Sequence, residues 1–461
     1  MAGMWALGVQ TRMADPTPPP SSPARPTIPV QAAAPAAAAT PARRPQVQGP
    51  WRLSTLLASP HRLGFFLAAA VLVMASLWWL AVQWDRASGA LGLVSAVPAT
   101  LAHATVMVFG FMPLYFSGFL FTAGPKWLNV TPYDASLLLP PLLLQAAGWV
   151  LWLAGAHLQA GLAVLGNIVA VFGMAWMFGL FWRLIRASRA PDQVHARLVG
   201  WAGVVGCVSL AAVGVCLVLG HIDLALAWVR TGLWGFIVVT YVAVAHRMIP
   251  FFTASVLPMI DVWRPLWVLR LMVGVAVFEV VAVWVDALAP SASAWPAWTW
   301  GVIAVELCTG AVLLWLAVVW GLVQSLKIRL LAMLHVGFVW FGLALVVSGL
   351  SQLIWLLTGQ ALLGLGAVHA LSMGFLGSLM LAMVTRVSCG HGGRALVADD
   401  LVWALFWALQ VTVLLRLAAA VQGAPAWLTP LAALAWAGVV TVWALRYANW
   451  YGRPRADGQP G

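Results

Sequence analysis

"HATVMVFGF", residues His103 to Phe111, opens a hydrophobic stretch that meets no formal charge until Lys126. About 20 apolar residues cross a hydrocarbon core roughly 30 Å thick, so this run reads as a membrane helix. Working outward from it, about twelve such runs succeed one another. They are Leu63–Val82, Thr100–Ala123, Ser136–Ala156, Leu158–Phe181, Leu198–Leu219, Leu224–Val244, Leu266–Val285, Trp300–Val323, Leu330–Leu357, Ala361–Val387, Leu401–Val421 and Trp427–Tyr447. The shortest links, near His157 and at "TGQ" (Thr358 to Gln360), predict tight turns between antiparallel neighbours. The whole composition agrees: of 461 residues, 63% are hydrophobic and 8% charged, with a mean hydropathy of +0.95. No water-soluble fold could cover itself with so little polar surface. The expected fold class is all-α, a polytopic membrane helix bundle of about 12 transmembrane helices.

Charge then orients the bundle. The formal charge of +12, from 24 Lys+Arg against 12 Asp+Glu, would suggest nucleic acid in a soluble chain. Here no nucleic-acid motif accompanies it, and the basic residues alternate with the spans. They cluster at Arg43, Arg44, Arg52 and Arg62, then at Lys126, Arg183 to Arg197, Arg247 and Arg264, Lys327 and Arg329, Arg386 and Arg394, and Arg446 to Arg455. The intervening loops carry almost only Arg86. By the positive-inside rule both termini are cytoplasmic, and the expected partner is a lipid bilayer, with no nucleic acid. Multi-pass insertion is expected, with the first helix as uncleaved signal, because "MAGMWALGVQTR" lacks a basic start followed by a long apolar core. Residues 1–50, rich in Pro and Ala, form a cytoplasmic tail that cannot bury a core and is expected to be disordered; residues 51–450 make the transmembrane domain and 451–461 a short cytoplasmic tail. Cys207, Cys216, Cys308 and Cys389 form no C-x-x-C pair, so neither disulfides nor structural zinc is indicated. The 29 tryptophans exceed what interfacial anchoring requires, and the surplus suits packing of the bundle or of a large cofactor.

Chemistry is sought among the ionisable residues at membrane depth, where each is costly and therefore suspect. H-A-x-x-M occurs twice, as His103 to Met107 and as His369 to Met373. Residues four apart share one face of an α-helix, so each pair presents an imidazole beside a thioether. Such a donor set suits haem iron or Cu(I), while the alternative is a histidine hydrogen-bonded to a neighbouring helix. Arg230 either pairs with Glu279 or Glu306 or holds a haem propionate or another anion, and Arg416 snorkels at a helix end. At the opposite face lie "HRMIPFFT" (His246 to Thr253), His335 in "LHVGFVW", and "TRVSCGHGGR" (Thr385 to Arg394). The last is either a glycine-rich helix cap carrying positive-inside charge or a cradle in which backbone N–H groups and arginines hold a carboxylate or phosphate-like anion.

These stretches, in this order, resemble the NnrS family of haem- and copper-containing bacterial inner-membrane proteins associated with nitric oxide metabolism and nitrosative-stress tolerance. "HALSMGFLGSLMLAMVTRVSCGHGGR" (His369 to Arg394), "RMIPFFT" (Arg247 to Thr253) and "LHVGFVW" (Leu334 to Trp340) carry the resemblance, which runs from the first span to the last. It implies haem and copper as cofactors, nitric oxide or a related small molecule as partner, and the bacterial inner membrane as location. His103, His335 and His369 are then the expected metal ligands. Met107, Met373, Arg247, Arg386 and Arg394 are the further cofactor-binding candidates. His335 and His369 fall in opposite halves of the membrane, about 20 Å apart, which argues for two sites or for one site and one structural histidine. The sequence departs from the family's H-A-H-E-M at Thr105 and Val106, so a site using that second histidine would be lost here or completed by another donor. His246 stands where relatives more often carry Gly. A secondary transporter is the alternative, since twelve spans suit one and Pro113 falls inside the second span, where it would kink the helix. A haem-copper oxidase subunit is excluded by the lack of a His-His pair or a His-Pro-Glu run.

Overall fold

The computed structural model describes residues 49–257, 259–289 and 295–459, and the expectation for the proline-rich tail falls almost wholly outside them. Among the described residues twelve helices are long and apolar enough to span a bilayer: α1 (Pro60–Ser88), α2 (Ala99–Leu128), α3 (Ala135–Leu158), α4 (Ala160–Ala187), α5 (Val194–Val218), α6 (Ile222–Val256), α7 (Leu266–Leu288), α8 (Pro296–Val319), α9 (Arg329–Thr358), α10 (Gly366–His391), α11 (Asp400–Ala418) and α12 (Leu428–Tyr451). No strand occurs among the described residues, so the fold is an all-α helix bundle. Several boundaries move from those the hydropathy gave. α6 continues through "HRMIPFFT" to Val256, and the link before α10 is residues 359–365, longer than the tight turn expected at "TGQ". Apolar runs mark only the part of a helix inside lipid, and helices outrun it by a turn or more where polar residues find partners.

Depth within the bundle divides the helices. α2 is 83% buried and α9 and α10 are each 72% buried, against 33% for α11 and 39% for α7. The first three are therefore the interior, joined by α6, and the others form the wall, with Leu143, Ile168, Phe172, Val208, Val277 and Leu414 facing outward. Close approach depends on small residues, as in membrane bundles generally. A Cβ on Gly148 of α3 would come within 2.6 Å of the Gly166 carbonyl of α4, and one on Gly310 of α8 within 2.9 Å of the Gly342 carbonyl of α9. The ring closes where α1 packs on α12. There Arg62 Nη1 donates to the carbonyls of Tyr451 (3.0 Å) and Arg453 (2.6 Å), fixing both ends of the bundle on one face, called the termini face below.

Three interior helices are interrupted at similar depth. α2 breaks at Gly110–Phe111, where Pro113 lacks the N–H its turn requires. α6 winds as a π-helix over Leu233–Val238, and α10 does so over Ala370–Gly377. Glycine makes these irregularities possible by admitting neighbours to the backbone. Phe109 lies over Gly232, and a Cβ on Gly374 would be 2.7 Å from the Trp340 ring. Insertions of this kind in a helix recur at functional sites because they redirect side chains and free backbone groups.

Candidate functional site

A cavity of about 500 Å³ lies in the half of the bundle away from the termini face, walled by α1, α2, α6, α10, α11 and α12. Both H-A-x-x-M pairs line it: His103 and Met107 from the regular helical half of α2, and His369 and Met373 at the start and inside of the π-turn of α10. Thus the two histidines, 266 positions apart in sequence, face one space.

The hydrogen bonds fix what each imidazole offers. His369 Nδ1 lies 2.8 Å from the Leu365 carbonyl, which can only accept, so Nδ1 carries the proton and Nε2 keeps its lone pair. That is the orientation and tautomer of a metal-binding histidine tied down by a backbone carbonyl. His103 stacks on Trp79 with ring centroids 3.8 Å apart and planes inclined by 12°, and its buried Nδ1 has no protein partner. An uncompensated polar atom in such a place costs about 1–3 kcal/mol unless a ligand meets it. Trp79 in turn lies beneath the Arg86 guanidinium, 5.5 Å from the ring centre.

Arg86, Arg230 and Arg416 all line the same cavity, and none is in an ion pair among the described residues. This corrects two expectations. Arg230 makes no ion pair with Glu279 or Glu306, and Ser348 donates to Glu306 at 2.7 Å. Arg416 does not merely snorkel but contributes to the cavity wall. Sequence reasoning also passed over Trp79, Gln83 and Trp436. A signal was available in α1, where Ser76, Trp79, Gln83 and Arg86 recur at helical spacing and form one polar and aromatic stripe toward the cavity.

The remaining candidates lie elsewhere, and none lines this cavity. His335 is wholly buried, with Nε2 3.0 Å from Thr253 Oγ1, and Thr253 gives its own proton to Ile249 O at 2.9 Å. His335 Nε2–H must therefore be the donor, which leaves Nδ1 as its buried, unpartnered nitrogen. Arg386 stacks on Phe252 (3.7 Å), Arg394 on Trp450 (4.1 Å), and Arg247 on Trp127 (5.2 Å) while reaching Asp192 at 3.9 Å. The "GHGGR" turn receives the chain's own C-terminal segment: Ala456 N–H donates to Gly392 O at 3.0 Å, and the Asp457 carboxylate lies against Gly393, whose φ of +66° suits glycine. Asp457 pairs with Arg455 at 2.7 Å, and that bond holds its carboxyl down to about 2.

Two imidazoles, two thioethers, aromatic walls and three guanidiniums around an apolar space fit a planar, doubly carboxylated metal macrocycle: imidazole for iron, aromatic faces for the ring, arginine for the carboxylates. No cluster of three or more His, Cys, Asp or Glu occurs among the described residues, so a metal held only by such side chains is not prefigured. Fold and cavity together define a polytopic membrane protein with a histidine-lined chamber inside the bilayer. The family model described as NnrS protein matches residues 55–455, and the chain belongs to the NnrS family. No curated protein matches it.

Proposed function

We propose that this chain binds haem in the cavity between α2 and α10 and serves in the response to nitric oxide in the inner membrane of a bacterium. The observation that carries the proposal is the Nδ1–H of His369 held by Leu365 O, which leaves Nε2 as a lone-pair donor in a cavity also lined by three arginines that form no ion pair among the described residues. His369 and His103 would hold the iron, with Met107 and Met373 as soft donors suited to Cu(I) if copper is also bound. Arg86, Arg230 and Arg416 would take the haem carboxylates. Trp79 would keep the His103 ring upright. When bound, a haem would supply an iron able to take a small neutral molecule such as nitric oxide, and that molecule needs no charged route because it partitions into lipid. The distribution of basic residues supports a cytoplasmic termini face, and with that orientation the cavity would lie in the outer half of the membrane.

A second reading, a secondary transporter of a small solute, is favoured by one observation: α2, α6 and α10 are interrupted at similar depth, as in helices that line transport sites. The absorption spectrum of the purified protein, with metal analysis, separates the two. A Soret band with reduced-minus-oxidised difference peaks is expected. Colourless protein free of iron and copper, from cells supplied with both, would remove the haem reading.

A further inference from the structure

The cavity between α2 and α10 reaches the end of the bundle. Arg86, Thr100, Leu365, Arg416 and Thr429 all line it, and each stands within two residues of a helix end at the face away from the termini. Arg86, Thr100 and Leu365 are exposed there. From Leu365 to Leu376, about 16 Å along α10 at about 1.5 Å per residue, exposure falls from 46% to 1%. The lining stops at that level, where Ser76, Met112 and Ile237 are also buried. Two bonds tie the wall together at this floor: the Trp436 indole donates to Ser76 Oγ at 2.9 Å, and the Tyr241 hydroxyl donates to Met112 Sδ at 3.2 Å. The cavity is a funnel with its mouth at the helix ends.

The formal charge in that funnel has one sign. Arg86 and Arg416 stand at the mouth and Arg230 about two turns into α6, and no Asp or Glu belongs to the lining. Asp85, next to Arg86 in the chain, is taken up by the backbone N–H groups of Leu91, Gly92 and Leu93 at 2.7, 2.9 and 2.8 Å. Asp286 of α7 acts on Arg230 from outside the lining and forms no ion pair with it. The wall helices α2, α6, α10 and α12 also begin at this end, so the positive poles of their backbone dipoles point toward the mouth. Deeper in, Trp79, Met107, Val108, Leu233 and Met373 make an apolar and aromatic wall. A cleft of one charge sign between low-dielectric walls concentrates counter-ions and repels its own sign.

We propose that this cavity fills from the aqueous phase at the face away from the termini and selects amphipathic anions, with the charged group at the arginine rim and the apolar body against the wall below. Haem, a dicarboxylate, is one member of that class. The inference shares its cavity with the haem reading but not the iron, and its test contains no haem, so either can fail alone.

Charged thiol reagents are the probe, applied to full-length protein made without a haem supply and confirmed colourless, in sealed vesicles. Ser372→Cys puts a thiol on the cavity wall, and none of the native cysteines lines it. Gln459→Cys, at an exposed position, marks the termini face. Mass spectrometry of the labelled peptides reads each site separately. Ser372→Cys should react in vesicles where Gln459→Cys is shielded. The anionic sulfonatoethyl methanethiosulfonate should outpace its cationic trimethylammonioethyl analogue by about tenfold or more, each rate being divided by that with a free thiol. Arg230→Gln and Arg416→Gln should each lower that ratio severalfold, as should high salt. Anilinonaphthalene sulfonate should protect the thiol from the neutral methyl reagent, and inorganic sulfate at equal concentration should not. Reaction with the neutral reagent alone would mean access through lipid and would overturn the proposal. Reaction only from the face marked by Gln459→Cys, no reaction with any reagent, a ratio at or below one, or equal effects of the two sulfur anions would do so too.

Discussion

The imidazole of His103 lies flat against the indole of Trp79, with ring centroids 3.8 Å apart and planes within 12° of parallel. That stack joins two helices and fixes the plane of a ring that lines the cavity. Stacked aromatic pairs contribute about 0.5–1.5 kcal/mol beyond burial. Trp79→Leu should therefore lower cofactor affinity about three- to tenfold without unfolding the bundle, measured by haem titration into apo-protein. Unchanged affinity would mean that the stack does not orient His103.

His369 and His157 make a matched pair of tests. His157 has both nitrogens occupied, Nε2 accepting from Trp78 Nε1–H and Nδ1 donating to Val94 O, each at 2.8 Å, so it ties α1 and its following loop to α3. His369→Ala should reduce cofactor loading by at least about tenfold. His157→Ala should lower the melting temperature and leave the absorbance per protein unchanged. Equal loading in both variants would dismiss His369 as ligand.

Glycine content in α8 is tested by two neighbouring positions. Gly310→Val drives a branched side chain against the Gly342 carbonyl of α9 and should destabilise by about 1–3 kcal/mol. Gly301→Ala on the same helix meets nothing within 4 Å and should be neutral or slightly stabilising. Thermal unfolding in detergent distinguishes them, and equal effects would refute the close-packing argument.

Gln410 joins three helices, accepting from Trp340 Nε1–H at 2.7 Å and donating to Ser378 Oγ at 3.0 Å. Gln410→Leu strands a buried indole N–H beside the π-turn of α10. Deletion of a hydrogen bond inside a membrane bundle costs less than in water-soluble cores, so a loss of about 1–2 kcal/mol is expected. Cofactor binding should weaken with it if the π-turn holds the cavity in shape, which haem titration of the variant reads directly.

The C-terminal segment should respond to acid in one direction only. Asp457 is held at about 2 by Arg455, below its ordinary value of 3.8. A depressed carboxyl stabilises the docked segment above its free value, and that contribution is lost as pH falls from 3.8 through about 2. Hydrogen exchange at Ala456, which donates to Gly392 O, should therefore be insensitive to pH beyond the intrinsic rate above about pH 5 and accelerate below it. Asp457→Asn should show the fast behaviour throughout.

The spans were legible because each carries about 20 apolar residues bounded by charge, a signal imposed by lipid itself. The two H-A-x-x-M pairs were legible for the same reason: a histidine at membrane depth stands out. What could not be read was adjacency between helices. Nothing near Arg230 or Arg416 in the chain indicates that they share a cavity with His369, and opposite charge made Glu279 or Glu306 the natural partner for Arg230. The π-turns were equally hidden, since nothing in Leu233–Val238 or Ala370–Gly377 distinguishes wide winding from an ordinary helix, and the close neighbours Phe109 and Trp340 come from other helices.

The grip of Arg62 on the carbonyls of Tyr451 and Arg453 also joins segments 389 and 391 positions apart in sequence. Neither α1 nor the end of α12 can reach this packing before the other has been made, so the contact forms late in assembly. A chain cut before Tyr451 would lack both of these acceptors and should dock α1 less tightly.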